Sequence, residues 1–186
     1  MKKTLLLVPL LLAGCGAAVP LWTRDYASQQ TTRTYASAPP AVVAAAAEAV
    51  VRQTAAPRDV TMKRTADGVV IDRYYVGYMG LRSVTLDYTF TLHVTPEGKG
   101  SRVTLDLAAQ RTFNDNATDY SHDTVYDGGT IPYGDPYRLF FARMDYVLGK
   151  RADWVTCAEA PAKLGAQIAL DPLCTKVSDG PIPPRG

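Results

Sequence analysis

SVTLDYTFTLHVT, residues 83–95, alternates without exception between apolar and polar side chains. A period of two places successive side chains on opposite faces of a β-strand. The members that should face a core are Val84, Leu86, Tyr88, Phe90, Leu92 and Val94. Those that should face solvent are Ser83, Thr85, Asp87, Thr89, Thr91, His93 and Thr95. The stretch therefore predicts a strand of an antiparallel sheet with one buried face and one wet face.

Residues 102–110, RVTLDLAAQ, repeat this pattern with Val103, Leu105, Leu107 and Ala109 on the apolar side. The intervening Pro-Glu-Gly-Lys-Gly run has turn chemistry, so the two strands should form a hairpin. Opposite residues must share a face, and this requirement sets the register. The predicted pairs are Val94 with Val103, Leu92 with Leu105, and Phe90 with Leu107, which leaves a four-residue loop over 97–100.

Weaker patterns on either side of this hairpin predict the rest of the domain. Pro39-Pro40 precedes an alanine-rich helix over 41–56, whose buried stripe is Val43, Ala46, Ala47, Val50 and Val51. A second hairpin is predicted over residues 60–63 and 69–76. A second helix is predicted over 136–148, with Asp135 as its N-cap. Residues 154–157 could add a short edge strand. Together these patterns predict an α+β fold of two layers, with an antiparallel sheet of about four strands and both helices on one face.

The N-terminus carries a targeting signal. Lys2 and Lys3 precede a short apolar run over 4–12, far below the roughly 20 residues that span a bilayer as a helix. The run ends in Leu12-Ala13-Gly14-Cys15, which resembles the lipobox of bacterial lipoprotein precursors. The resemblance implies cleavage before Cys15, lipidation of Cys15 with palmitate-type acyl chains, and a lipid-anchored place in the cell envelope. An ordinary secretory signal with an incidental cysteine is the alternative.

The same resemblance bears on which membrane holds the protein. Gly16 follows the cysteine, whereas in Gram-negative lipoproteins an Asp there favours the inner membrane. The resemblance thus implies the outer membrane if the source is Gram-negative, with the domain on the periplasmic or extracellular face. The chain then divides into a signal peptide (1–14), the lipidated cysteine with a flexible tether (15–38), one α+β domain (39–177) and a disordered tail (178–186). The folded domain itself resembles no family.

The charge balance argues against nucleic acid as a partner. The chain has 20 basic and 18 acidic residues, and two of the basic ones leave with the signal peptide, so 18 of each remain. A formally neutral mature chain lacks the basic excess that nucleic acid requires. The expected partners are the membrane, through the anchor, and an envelope protein or cell-wall component.

The two remaining cysteines, Cys157 and Cys174, lie in the exported part of the chain. An even pair in an oxidising compartment favours a disulfide over free thiols. A metal site would require closer spacing and further ligands. The sequence predicts neither a metal site nor a cofactor.

The search for catalytic motifs identifies no catalytic residue. Ser121-His122-Asp123 contains the triad residue types, but consecutive side chains cannot align as nucleophile, base and orienting acid. Residues 114–134 read as a long polar connection, and such loops are often functional. Its candidate ligand residues are Asp115, Asp119, Tyr120, His122, Asp123, Tyr126 and Asp127. They could bind Ca²⁺, sugar or a protein, although the spacing departs from that of an EF-hand; the alternative is a connection without a ligand.

Two classes of function follow from these observations. The first is a membrane-anchored envelope lipoprotein whose folded part is a non-enzymatic binding or assembly module. The second is an envelope hydrolase, or a Ca²⁺-dependent carbohydrate or peptidoglycan binder, that uses the loop over 114–134. The sequence favours the first, because it shows no nucleophile with a matching base.

Overall fold

The structure is a computed structural model, which describes residues 21–54, 59–79, 82–115, 123–166, 170–174 and 182–185. The segment predicted as a signal peptide and Cys15 lie outside these ranges. The helices are α1 (Arg24–Thr31), α2 (Pro40–Arg52), α3 (Asp135–Val147) and α4 (Ala160–Leu164). The strands are β1 (Thr32–Tyr35), β2 (Val60–Thr65), β3 (Gly68–Met79), β4 (Arg82–Glu97), β5 (Gly100–Asp115) and β6 (Asp123–Thr130). None of the helices in the described ranges is long and apolar enough to cross a membrane.

The strands form one antiparallel sheet in the order β1-β5-β4-β3-β2, and β6 also pairs with β5. β1 pairs with residues 101–104 of β5, and β6 pairs with residues 108–114, so both flank the same strand at different heights. The described chain thus contains six strands where the sequence predicts about four. The two additional strands are short or irregular and lack the alternation that identifies β4 and β5.

The predicted register of the central hairpin is confirmed. Val94 pairs with Val103, and the same offset continues through Leu92, Phe90 and their partners. The turn is tighter than the predicted four-residue loop, because Glu97 pairs with Gly100 and only Gly98 and Lys99 remain unpaired. Gly98 adopts a φ of 61°, a conformation that glycine reaches without steric cost. This glycine is what permits the pairing to extend to the turn.

The predicted buried stripe of α2 is confirmed. Its members, Val43, Ala46, Ala47, Val50 and Val51, are all buried. α2 contacts β3 and β4, and α3 reaches the same side of the sheet, where the rings of Phe140 and Phe90 lie 6.0 Å apart. The apolar face of the central strands and the helices therefore form the core.

Several predicted element bounds need correction. α2 ends at Arg52 rather than near 56, and Gly134 rather than Asp135 is the N-cap of α3. The edge strand predicted over 154–157 does not form. The backbone there bonds to a side chain of the core instead, since the carbonyl of Val155 accepts from Nε of the buried Arg143.

The segment predicted as a tether contains ordered elements. α1 and β1 lie within residues 24–35, and β1 extends the sheet through its pairing with β5. Tyr35 is almost fully buried, so its side chain packs this polar segment against the core. Of the predicted C-terminal tail, residues 182–185 are described, and the guanidinium of Arg185 donates to the carbonyl of Gly149 at 3.1 Å.

Candidate functional site

The predicted ligand loop over 114–134 includes strand β6. Asp115 ends β5, while Asp123, Tyr126 and Asp127 lie in β6, where Asn114 pairs with Asp123. Asp119, Tyr120 and His122 lie outside the described residues. The sequence of β6 does not indicate a strand, because it contains two consecutive glycines, Gly128 and Gly129. The strand also pairs across an irregularity between Ala109 and Arg111. What the sequence predicts as one irregular connection is therefore partly an edge of the sheet.

The polar face of the sheet carries an open groove of about 430 Å³. We call it the outer-face groove. It crosses strands β2, β3 and β4. Most of its lining positions lie on the sheet face opposite to α2 and α3, whereas Arg73 and Tyr88 lie at positions of the helical face. Its lining residues are Asp59, Thr61, Asp72, Arg73, Tyr74, Asp87, Tyr88 and Thr89.

The strand register brings two carboxylates of this groove together. Tyr74 lies opposite Asp87, and Asp72 lies opposite Thr89. Asp72 and Asp87 are therefore diagonal neighbours on one face, a relation that corresponds to about 7–8 Å between Cα atoms. The hydroxyl of Thr89 donates to Oδ1 of Asp72 at 2.8 Å and holds that carboxylate in place.

The electrostatics of the pair are unfavourable in the absence of a counter-charge. Partial burial raises the pKa of Asp87, and the negative charge of Asp72 raises the pKa of Asp87 further. Tyr74 borders the pair with 48% of its surface exposed, and Tyr78, further along the same strand face, is 80% exposed. The groove thus combines two mutually repelling carboxylates with the accessible aromatic ring of Tyr74, and Tyr78 lies outside its lining.

A second group of polar residues lies on the helical side of the sheet, and we call it the inner polar cluster. Its centre is Arg73, which interrupts the apolar positions of β3 and is only 2% exposed. The guanidinium donates to the carbonyl of Thr54 at 2.7 Å and to the carbonyl of Pro172. Burial lowers the pKa of Arg73, and negative charge nearby, including that of Asp171, opposes this shift. Arg73 therefore connects the sheet to the segment Leu170–Cys174.

Asp171 is the acidic member of the inner polar cluster. Burial raises the pKa of Asp171, whereas the positive charges of Arg73 and Arg111 lower it. Its Oδ1 is inaccessible to solvent and has no hydrogen-bond partner among the described residues. Burial, followed by the charge of Asp171, raises the pKa of Tyr88 to about 12, so this phenol is neutral at physiological pH. A neutral phenol and a buried carboxyl near two arginines are suited to a structural role rather than to nucleophilic attack.

The segment Leu170–Cys174 is held at its other end by a disulfide. Cys157 and Cys174 are bonded, with their Cα atoms 5.7 Å apart, as the sequence predicts. Beside them, the fully buried Arg143 donates to the carbonyls of Val155 at 3.0 Å and Leu173 at 3.4 Å. Two buried guanidinium groups and one covalent bond thus fix this short segment against the core.

A histidine and an aspartate meet at the β2–β3 turn. Nδ1 of His93 lies 2.8 Å from Oδ2 of Asp67, and the hydroxyl of Thr65 donates to Oδ1 of Asp67 at 2.9 Å. The hydrogen bonds from His93 and then Thr65 lower the pKa of Asp67. Nucleophilic catalysis requires the imidazole between the hydroxyl and the acid, whereas here the acid lies between the other two. This arrangement therefore stabilises the turn and does not activate Thr65.

Sequence reasoning missed the outer-face groove, although one signal for the inner polar cluster was present. Arg73 follows Val69 and Ile71 at the same parity, so a cation occupies a position that faces the core. Asp72 and Asp87 carry no such signal, because a polar residue on a polar strand face is ordinary. Within the described ranges, no group of three or more His, Cys, Asp or Glu side chains could hold a metal ion. Comparison with known proteins finds no matching family model, no matching curated protein and no matching solved structure.

Proposed function

We propose that this chain is a membrane-anchored lipoprotein of the cell envelope whose folded part is a non-enzymatic binding or assembly module. The outer-face groove is the observation that supports this proposal. In this two-layer domain the helices pack against the apolar face of the sheet. On the opposite face of the sheet, Asp72, Tyr74 and Tyr78 are exposed. Such a face is available to a partner, and the anchor keeps it near the membrane.

The anchor rests on Leu12-Ala13-Gly14-Cys15. Each buried methylene contributes about 0.8 kcal/mol, and two or more acyl chains are needed for lasting attachment. We expect Cys15→Ser to abolish incorporation of a radiolabelled fatty acid and to release the protein from the membrane fraction or block its processing. Ser37→Ala, in the same N-terminal region, serves as the control and should fractionate like the parent. A Cys15→Ser protein that is still labelled and still sediments with membranes would show that the anchor proposal is wrong. If the source is Gram-negative, Gly16 favours the outer-membrane fraction.

The binding role is tested by site-specific photocrosslinking in intact membranes. A photoreactive amino acid at position 78 lies on the outer face, and one at Val42 lies on an exposed part of α2, 48% exposed in the native residue. We expect a discrete adduct from position 78 and none from position 42. The same adduct from both positions, or none from position 78, would contradict the proposed binding face.

A hydrolase is the second candidate, because Asp72 and Asp87 form a carboxylate pair in a groove. Carboxylate pairs whose pKa values are pushed apart act as acid and base in glycoside hydrolysis. The raised pKa of Asp87 is the specific observation that favours this role. Release of soluble fragments from purified cell wall by the parent protein, and loss of that release in Asp87→Asn, would support it. Turnover that persists in Asp87→Asn would exclude this pair from catalysis.

A further inference from the structure

We infer that the outer-face groove binds the side chain of a lysine or arginine from a basic peptide segment of an envelope protein. This inference rests on the proposed binding function and names the chemistry of its partner. It is carried by three features of the groove: the paired carboxylates, the exposed Tyr74 and the size of the open space.

The two carboxylates can together bind one positively charged group. Asp72 and Asp87 lie on adjacent strands at diagonal positions, so a cationic nitrogen placed between them can donate charge-assisted hydrogen bonds to both carboxylates. The hydrogen bond from Thr89 occupies one oxygen of Asp72 and leaves the other available. Repulsion between the pair is relieved by a bound cation and not by a neutral ligand, since Asp72 raises the pKa of Asp87. Charge complementarity therefore favours a cation.

Tyr74 adds a second, independent preference for the same kind of ligand. Tyr74 lies directly opposite Asp87 and is 48% exposed, and Tyr78 on the same strand face is 80% exposed. A cation within about 6 Å of an aromatic ring is attracted to its face. Exposed tyrosine is also a residue type that binding interfaces favour. The Tyr74 ring, beside the carboxylate pair, can contact both the charge and the apolar stem of a lysine or arginine.

The size and lining of the groove favour a peptide over a small ion. Its volume of about 430 Å³ exceeds what one ammonium group fills, and it extends over three strands. Among the described residues that line it, Arg73 is the only cation. Its guanidinium donates to the carbonyls of Thr54 and Pro172 on the helical side of the sheet. The space can therefore take a side chain together with its neighbouring backbone.

The test is a binding titration of the full-length lipoprotein in detergent micelles. The probe is an N-acetylated, C-amidated peptide with three lysines among glycines, and its twin carries acetyl-lysine at each position. At an ionic strength of about 0.15 M, exposed charges farther apart than about 8 Å are largely screened. We expect Asp72→Asn and Asp87→Asn each to weaken binding about tenfold, as loss of a contact worth 1.4 kcal/mol would do. Tyr74→Leu should weaken it about threefold.

Asp106→Asn is the matched control. Asp106 is an exposed aspartate on the same sheet face and does not line the groove. This variant should bind the lysine peptide within about twofold of the parent, since it loses only a distant, screened charge. Far-ultraviolet circular dichroism of each variant verifies that it is folded.

Three outcomes would overturn the inference. The first is that the acetyl-lysine peptide binds as tightly as the lysine peptide. The second is that Asp106→Asn loses as much binding as Asp72→Asn and Asp87→Asn. The third is that the protein binds an uncharged cell-wall oligosaccharide and does not bind the lysine peptide. If the peptide fails while position 78 still gives a discrete adduct in membranes, the binding function stands and the ligand class is wrong. If both fail, the proposed function is wrong as well.

Discussion

Two arginines are the residues whose burial most distinguishes this protein from an ordinary sheet-and-helix domain. Arg73 and Arg143 are among its largest fully buried side chains. Each donates to backbone carbonyls, and Arg143 also lies over the ring of Trp154, with Cζ 4.8 Å from the ring centroid. A buried cation is tolerated only when its donors are satisfied. These arginines therefore act as connectors between the core and segments that lack regular structure.

Loss of Arg143 should be strongly destabilising. Arg143→Met keeps an apolar stem but leaves the buried carbonyls of Val155 and Leu173 without this donor. We expect the free energy of unfolding to fall by about 3 kcal/mol, measured by urea denaturation with the disulfide intact. Arg102→Met, at an exposed position of β5, should change it by less than about 0.5 kcal/mol. Equal effects of the two substitutions would mean that the Arg143 contacts contribute nothing.

The pKa of Asp87 gives a residue-scale test of the groove. Its raised pKa has burial as the larger cause and the charge of Asp72 as the smaller one. In Asp72→Asn the pKa of Asp87 should therefore fall but stay above the ordinary value of 3.8. Carboxyl ¹³C chemical shifts followed over a pH titration measure this value directly. An unchanged pKa would show that the two carboxylates do not interact.

The raised pKa of Asp87 also determines how this residue changes the stability of the fold with pH. A carboxyl whose pKa is raised on folding holds its proton more tightly in the folded state than in the unfolded state. Its contribution is most favourable at low pH and declines as the pH rises from 3.8 through the raised pKa of Asp87. Asp87→Asn should accordingly increase the free energy of unfolding at neutral pH, and the difference should disappear below that range.

Among the elements, α2 shows how small residues set the distance between a helix and a sheet. Its buried alanines, Ala46 and Ala47, lie on the face that contacts β3 and β4, while Ala45 is exposed. An alanine at a tight contact leaves no space for a larger side chain, whereas an exposed alanine can be enlarged freely.

Two substitutions of alanine by leucine on α2 test this contact. Ala47→Leu should lower the free energy of unfolding by about 1–3 kcal/mol, because the added methyl groups must displace the sheet or neighbouring side chains. Ala45→Leu introduces the same side chain on the exposed face and should change stability by less than about 0.5 kcal/mol. Thermal unfolding of the two variants gives the comparison. A similar loss in both would contradict the assigned face of the helix.

Across the whole molecule, the segment Leu170–Cys174 joins parts of the chain that are distant in sequence. It meets Arg73 of β3 through Pro172, Arg143 of α3 through Leu173, and Cys157 through the disulfide. Asp171 of the same segment completes the inner polar cluster. The helical side of the domain is thus completed from the C-terminal end of the chain.

Removal of the disulfide should weaken the domain as a unit. The bond closes a loop with a sequence separation of 17 residues. In the chain-entropy model a loop of this length contributes about 3 kcal/mol. Cys174→Ser should lower the free energy of unfolding by about that amount, and reduction of the parent with dithiothreitol should reproduce the loss. No difference between oxidised and reduced parent would mean that the arginine contacts alone hold the segment.

Local pattern in the sequence determined the central hairpin, its register and the buried face of α2. In β4, β5 and α2 each side chain's environment follows from the period of its own element, so residues such as Phe90 and Val50 could be placed without knowing their neighbours. The cysteine pair was predictable for a different reason, since only two cysteines remain outside the segment that resembles a lipobox.

The tertiary structure decided what depends on partners distant in sequence. β1 and β6 are strands because they pair with β5, and Arg73 and Arg143 are buried because carbonyls from other segments meet their donors. The outer-face groove has the same origin: Asp72 and Asp87 become neighbours only through the pairing of β3 with β4. The local period of a strand indicates which face a residue occupies. Which residue lies beside it on that face depends on the pairing of strands that are distant in sequence.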